Sequence, residues 1–302
     1  MAEGSAKLGE LSILSLVEED ARRQLCGGQV LLRIGLAGNE VASLTNPPPF
    51  FCLVSRLSYV PCLFNDLLEH FGACLPPRWG KSYEIWLDYE GTALKWQYPL
   101  GVLCDTLVGQ EVPSPLHLTV HFQGQEGLRP FTGMGDLQGV VMSAVSQATY
   151  TMHNSQTPYG KLGIKDHNQL WEAICKCNLD SYWAVQKSLL CQTLAKCKSL
   201  PVRIHLCGPL HEIVLHPAPP LDSQGAACTV GGFLQDCLGG PPLFTAHGAL
   251  CPEVQVLTLG VSVPLDTPLF WLALHAAYLD EFVHLVLRVP NHFLVSEDGE
   301  ES

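Results

Sequence analysis

Cysteine and histidine are the residues through which this chain would do chemistry. Cys175 and Cys177, with Cys191 and Cys197 downstream, gather four thiols, the ligand type of a zinc cluster. Zinc-binding pairs keep a gap of roughly two to four residues. Here the gap is one, on a stretch predicted to be helical, where residues two apart diverge by about 200° and cannot grip one ion together. His70, His117, His121 and His167 are candidates to pair with a cysteine as a nucleophile dyad, but no nucleophile motif frames any of the thirteen cysteines. His117 and His121 stand four apart in a predicted strand and so share a face. They lack the helix and the glutamate base that a metallopeptidase motif needs. Gly27-Gly28, Gly231-Gly232 and Gly239-Gly240 match neither a phosphate-binding loop nor a dinucleotide fingerprint. The expectation is a chain with no catalytic residue, no metal and no cofactor.

The elements that would position such residues fall into two similar sets. The run Glu84-Ile85-Trp86-Leu87-Asp88-Tyr89-Glu90-Gly91-Thr92-Ala93-Leu94-Lys95-Trp96-Gln97-Tyr98-Pro99 contains a Thr-x-Leu-x-Trp core that returns as Thr267-Pro268-Leu269-Phe270-Trp271. That spacing makes Trp96 and Trp271 equivalent. Ile85, Leu87 and Tyr89 alternate as a strand ahead of the first core, an apolar stretch at 100–107 follows it, and 116–122 reads as a closing strand. The second set repeats this order, with 254–263 leading in, 272–278 following and 282–289 closing. Upstream, 60–71 carries Leu63, Phe64, Leu67 and Leu68 at helical spacing, and 229–238 carries Phe233, Leu234 and Leu238. Strand-like pairs precede each helix, 30–36 with 50–54 and 202–206 with 212–216. Strand, strand, helix, strand, strand predicts a β-grasp, the ubiquitin-like fold, in which one helix covers a short mixed sheet. The fold class is α+β, with two ubiquitin-like halves.

Between the halves, 136–197 changes to helical character. Asp166 is placed to cap a helix bearing Leu170, Trp171 and Ile174, and Asp180 a second bearing Trp183, Val185, Leu189 and Leu190. The predicted division is a lead with a short helix (1–29), a first ubiquitin-like domain (30–123), a linker and helix-rich domain (124–200), a second ubiquitin-like domain (201–290) and an acidic tail (291–302). The tryptophans Trp86, Trp96, Trp171, Trp183 and Trp271 fall on periodic segments and read as core or interdomain anchors.

Composition bounds the function. The chain has 302 residues, 47% hydrophobic and 15% charged, with a formal net charge of −12. So little charge fits either an apolar surface suited to partners or a large core with neutral loops. The acidic balance argues against unaided binding to nucleic acid or an anionic membrane, leaving only a small basic patch around Arg22, Arg23 and Arg33 to consider. No signal sequence and no long apolar run appears, so a cytoplasmic protein with reduced thiols is expected. The sequence ends Asp298-Gly299-Glu300-Glu301-Ser302, without the terminal glycine that a ubiquitin-like modifier activates.

Five segments together resemble the autophagy protein 5 family: Arg56-Leu57-Ser58-Tyr59, the run from Glu84 to Pro99, Leu118-Thr119-Val120-His121-Phe122, Lys165-Asp166-His167-Asn168-Gln169-Leu170-Trp171, and Thr267-Pro268-Leu269 with Trp271. Its fingerprint falls on Arg56, Tyr59, Trp86, Tyr89, Gly91, Trp96, Pro99, Trp171 and Trp271, mainly structural positions. The resemblance implies two ubiquitin-like domains flanking a helix-rich domain and a noncatalytic, ligase-like scaffold. It implies partners too: the ubiquitin-like autophagy protein 12, the N-terminal helix of autophagy protein 16, and through the complex the conjugating enzyme autophagy protein 3. The assembly would promote transfer of the autophagosomal modifier to phosphatidylethanolamine, with peripheral recruitment to the preautophagosomal membrane through partners. The other reading is a diverged ubiquitin-like adaptor that does not stimulate lipidation.

One departure matters. The family's acceptor lysine for autophagy protein 12 follows a Met-Ser pair; here that region reads Met142-Ser143-Ala144-Val145-Ser146-Gln147, with Ser146 or Gln147 at the acceptor position. No lysine occurs between Lys95 and Lys161. A serine would give only a labile ester and glutamine is no nucleophile, so the expectation is noncovalent association; the alternative is a covalent link in which Lys161 or Lys165 has taken over as acceptor.

Overall fold

In the first unit, the alternation of Val30, Leu32 and Ile34 with Leu31 and Arg33 makes β1 (Gln29–Leu36) a strand with one buried face. The computed structural model describes residues 18–42, 45–76, 83–124, 127–191, 193–207, 212–239, 243–245 and 249–289; the lead at 1–15 and the acidic tail lie outside them. A helix at 18–26, α1, precedes β1. β1 pairs antiparallel with β2 (Phe50–Ser55) and parallel with β5 (Leu116–His121). β3 (Trp86–Tyr89) pairs with β5 and turns back into β4 (Thr92–Ala93). The sheet order is β2-β1-β5-β3-β4. Phe64, Leu67 and Phe71 of α2 (Phe64–Phe71) and Leu100, Leu103 and Cys104 of α3 (Leu100–Leu107) complete its core.

The second unit repeats this topology. β6 (Leu200–Cys207), β7 (Glu212–Ala218), α8 (Val230–Leu238), β8 (Gln255–Thr258), β9 (Val261–Ser262), α9 (Leu269–His275) and β10 (Val283–Arg288) form a sheet ordered β7-β6-β10-β8-β9. Two five-stranded mixed sheets confirm the two β-grasp halves, with one correction. Among the described residues each half has two α-helices in this repeat, because the apolar stretches expected only to follow the motif form α3 and α9.

The repeat register also needs correction. The two-residue turns Glu90-Gly91 and Leu259-Gly260 both hold positive φ throughout, +49° and +83° in one, +52° and +81° in the other, the type I′ geometry that matches strand twist. Beyond the turns, Leu94 N donates to Leu87 O and Val263 N to Val256 O. Pro99 and Pro268 then open α3 and α9 and bridge to Tyr59 and Thr229. Counting from these anchors, Trp96 corresponds to Leu265, and Trp271 to Val102. The shared Thr-x-Leu-x-Trp spelling is a coincidence laid over a true repeat.

Among the described residues four α-helices lie between the halves: α4 (Met134–His153), the short α5 (Thr157–Gly160), α6 (Ile164–Lys176) and α7 (Leu179–Gln186). Their caps differ from expectation. Gly163 precedes α6 while Asp166, in its first turn, accepts from Gly163 N at 3.1 Å; Asn178, not Asp180, caps α7 by accepting from Ser181 N at 3.1 Å. Cys177 does not lie in the helix but ends it in the left-handed region, φ +49°.

The halves meet through α3. Its sides divide between two cores, since Leu100, Leu103 and Cys104 face the first sheet while Val102 joins the core of the second. α3 packs on β10, β6 and β8, and α4 packs on β6. The second sheet is therefore covered on both faces, by α8 and α9 on one and by α3 and α4 on the other.

Candidate functional site

Helix α4 carries the position where the family resemblance puts an acceptor. Thr132 N and Oγ1 donate to Asp136 Oδ2 at 2.9 and 2.7 Å and fix its start. Leu137, Val141, Val145 and Met152 are buried in the core shared with the second sheet, while Ala144 and Ala148 close on Phe282. On the outward side Ser146 is half-buried and Gln147 is exposed. Gln147 faces a groove of about 250 Å³ lined by Tyr150, Thr151, Leu215, Pro217 and Phe282. Tyr150 is 49% and Leu215 57% exposed, so this groove presents apolar surface to solvent. Lys161 and Lys165 are both exposed, one ending α5 and the other in the first turn of α6.

Phe282 is held from behind by charge. The Arg203 guanidinium lies 3.8 Å from its ring centroid, and Arg203 Nη1 donates to Asp280 Oδ2 at 2.7 Å. Asp280 also accepts from Phe282 N at 3.1 Å and from His284 Nε2 at 3.0 Å. Burial lowers both His284 and His205, so with a neutral His284 donating from Nε2, its Nδ1 accepts from His205 Nε2 at 2.8 Å. Burial works against the Asp280 charge, but His284 and Arg203 outweigh it and hold the carboxyl at about 2. Burial lowers His205 well below the usual histidine range.

The next residue makes a second joint. Glu281, at φ +65° and 1% exposed, accepts from Tyr182 Oη at 2.6 Å and from Gln186 Nε2 at 2.8 Å, tying α7 to the second sheet. Gln186 in turn accepts from Arg22 of α1. These neutral donors do not compensate burial, which pushes the Glu281 carboxyl up to about 7.

A third joint links the halves directly. Arg56, at the end of β2, pairs with Asp105 of α3 at 2.8 Å, both buried, and Arg56 Nε donates to Leu259 O at 3.3 Å. Gly260 N donates to Asp105 Oδ2 at 3.0 Å. The β8–β9 turn is thus seated on the first unit's ion pair. Arg288 Nη1 donates to Thr106 O at 3.2 Å, satisfying a carbonyl at the end of α3. Burial raises Asp105 to about 6, with Arg56 opposing.

The remaining fingerprint residues are dispersed. Tyr59 is buried and bridges to Pro99; Gly91 forms the first type I′ turn beside the half-buried Tyr89. Trp86 stacks on His121, with ring centroids 3.8 Å apart, and Trp96 Nε1 donates to Arg129 O at 2.9 Å. Trp171 and Trp271 are half-buried on α6 and α9. The candidate histidines are engaged elsewhere: His121 lies between Asp88 and Glu40, His70 contacts Pro48 O, His167 packs edge-on to Tyr159, and His117 is exposed on β5. Arg22 and Arg23 lie over Trp183, Arg23 pairing with Asp180, while Arg33 stands on β1 between Phe51 and His117. Among the described residues, no group of three or more His, Cys, Asp or Glu is arranged to hold a metal ion. No described helix is long and apolar enough to cross a membrane.

Sequence reasoning missed Asp280, Glu281, Arg203 and His284. The available signal was a pair of acids inside the otherwise apolar run Tyr278 to Val286.

This three-part arrangement coincides with three family models, described as the UblA domain (residues 25–122), the alpha-helical bundle region (135–191) and the UblB domain (199–287) of Autophagy protein ATG5. The chain belongs to the autophagy protein 5 family. Autophagy protein 5 of Drosophila melanogaster is 26% identical over 272 residues, covering 89% of this chain and 96% of the relative. Autophagy protein 5 of Oryza sativa subsp. indica is 33% identical over 172 residues, 56% of this chain; that match spans less than half, 44%, of the rice protein. The crystal structure of Kluyveromyces marxianus Atg5 shares the fold, with a TM-score of 0.74 at 20% identity over 89% of this chain and 99% of that one. Membership in the autophagy protein 5 family carries a role in autophagy.

Proposed function

We propose that this chain is a noncatalytic scaffold that associates with an autophagy protein 12 counterpart without a covalent bond. In this reading it also binds the helix of an autophagy protein 16 counterpart and promotes transfer, by the conjugating enzyme autophagy protein 3, of the autophagosomal modifier to phosphatidylethanolamine. It would act from the cytoplasm and reach the preautophagosomal membrane through its partners. A scaffold of this kind supplies proximity and orientation and no reacting group. The observation that carries the noncovalent part is the composition of α4: Ser146 and Gln147 stand where a lysine is expected, beside an open apolar groove. That groove supplies buried area in place of the missing bond.

Co-expression with the autophagy protein 12 counterpart and its activating and conjugating enzymes tests this. Native co-purification with two separate masses under denaturing conditions is the expected result. One summed mass would instead mean a displaced acceptor, a reading favoured by the exposure of Lys161 and Lys165. Absence of any native complex would overturn the scaffold reading. A lipid-transfer assay with the purified complex separates the scaffold from an adaptor that leaves lipidation unchanged.

A further inference from the structure

Strand β2 is the outer strand of the first sheet and is paired on one side only. Arg56 N donates to Gly28 O at 3.0 Å, which makes these two residues a hydrogen-bonded pair of the antiparallel ladder. Such pairs alternate along the register, so Val54, Cys52 and Phe50 turn their backbone groups toward β1. Phe51 and Leu53 turn theirs outward, where among the described residues they meet no backbone partner. The side chains of the same two residues stand on the open face of the sheet, with Leu31 opposite Leu53. Edges of this kind are usually blocked by charge or proline. Phe50–Ser55 holds neither, whereas β7, the matching edge of the second sheet, holds Glu212 and Pro217.

The opposite flank of this edge is acidic. His70 of α2 lies edge-on to Phe50, with ring centroids 5.3 Å apart, and its Nε2 contacts Pro48 O at 3.0 Å. Asp66 stands one turn earlier on the same side of α2, exposed and, among the described residues, without an ion pair. Burial first and Asp66 second push the Cys52 thiol up to about 11, in keeping with a carboxylate alongside the middle of the strand.

We propose that the outer edge of β2 docks an extended segment of a partner protein with an apolar-basic-apolar pattern, which joins the sheet as an added strand. The outward N–H and C=O groups of Phe51 and Leu53 supply the ladder. Residues of the added strand opposite Phe51 and Leu53 fall on the open face against apolar side chains, and the residue between them falls on the α2 side, toward Asp66. That alternation sets the chemistry of the partner. A second copy of this chain fits less well, because pairing β2 with itself about Cys52 brings two uncompensated Asp66 carboxylates to the same side of one junction.

The test is titration of the purified full chain with two labelled, capped peptides, Thr-Val-Lys-Val-Thr and a form in which glutamate replaces the lysine. The expected result is saturable binding of the lysine peptide, at least about tenfold tighter than the glutamate form. Amide hydrogen exchange should slow at Phe51 and Leu53, and stay unchanged at Cys52, whose amide already faces β1. Asp66→Lys, a surface change, should reverse the preference between the peptides. Leu53→Pro removes one outward N–H while leaving the donors of the inner ladder, and should abolish binding in a chain whose thermal unfolding shows it folded. Absence of saturable binding, equal binding of the two peptides, a preference unmoved by Asp66→Lys, protection confined to other amides, or a dimer of the peptide-free chain in sedimentation would each overturn the assignment.

Discussion

The two sheets share a strand order but not an environment. In the first, β1 and β5 alternate buried and outward residues, and Phe51 and Leu53 on β2 are 56% and 61% exposed. In the second, β6 and β10 are buried almost without interruption, because α3 and α4 cover the face that the first sheet leaves open. One topology thus gives a peripheral module and a hub. The hub holds two buried charge networks, at Asp280 and Glu281, and seats its β8–β9 turn on a third, the Arg56–Asp105 pair of the first unit, whose sheet keeps an open face.

The hub should be fragile where its charges are paired. Arg56→Ala leaves Asp105 buried and uncompensated, and urea unfolding should show a loss of about 3–5 kcal/mol. Asp105→Asn in the same chain should recover part of it; a loss below about 1 kcal/mol for Arg56→Ala would break the distinction between the units.

Glu281 should make the hub sensitive to pH. Its folded value near 7 lies above the 4.5 of an ordinary glutamate, so the folded state holds a proton that the unfolded chain releases. Stability is greatest below about 4.5 on this account and falls as pH rises through 7, by about 3 kcal/mol in total. Asp105, raised from 3.8 to about 6, adds a loss of the same sign. Buried His205 and His284, both lowered, act in the opposite sense below the ordinary histidine value, so the Glu281 contribution is read as a difference: between pH 5 and 8 the thermal stability of the unaltered chain should fall relative to that of Glu281→Gln, even though the variant begins less stable. A slope unchanged by Glu281→Gln would remove this carboxyl from the account.

The paired turns give a matched test. Gly91 and Gly260 have nearly the same φ, yet a Cβ at Gly91 meets nothing within 4 Å, whereas one at Gly260 falls 2.4 Å from Arg56 Nη2. Alanine should cost about 1 kcal/mol at Gly91 and about 2 kcal/mol more at Gly260. Equal costs would mean that the β8–β9 turn is not seated as described. Smallest of all, Phe51→Ser on the open face should change stability by less than about 0.5 kcal/mol in the same assay.

Legibility in the sequence followed these environments. β1 and β2, half-buried, show a two-residue period and were found within a residue or two. α3 and α9 were read only as apolar stretches, because Leu100 to Asp105 is buried throughout and a helix covered on all sides loses its 3.6-residue signature. The repeat was visible, but tryptophan drew the register wrongly. Trp96 fills a site against Arg129 and Phe131, whereas Leu265, at the corresponding position, is exposed, and the geometry that the two units share resides in the less conspicuous Gly91 and Gly260. Asp280 and Glu281 were illegible as partners, since Arg203, Tyr182 and Gln186 lie far from them in sequence and only topology unites them. At α4 the residue types Ser146 and Gln147 were plain, but the groove beside them depends on Leu215 and Phe282 from the second sheet.

The division of α3 between two cores has a consequence for synthesis. The helix is complete once residue 107 has been made, but the contact from Arg288 to Thr106 spans 182 residues. At about 5–20 residues per second, translation leaves the outer side of α3 waiting roughly 10–35 s for its cover. During that interval a nascent chain carries Val102 and the Arg56–Asp105 pair at a surface that belongs inside, a transient target for a chaperone and the step at which assembly of the hub becomes committed.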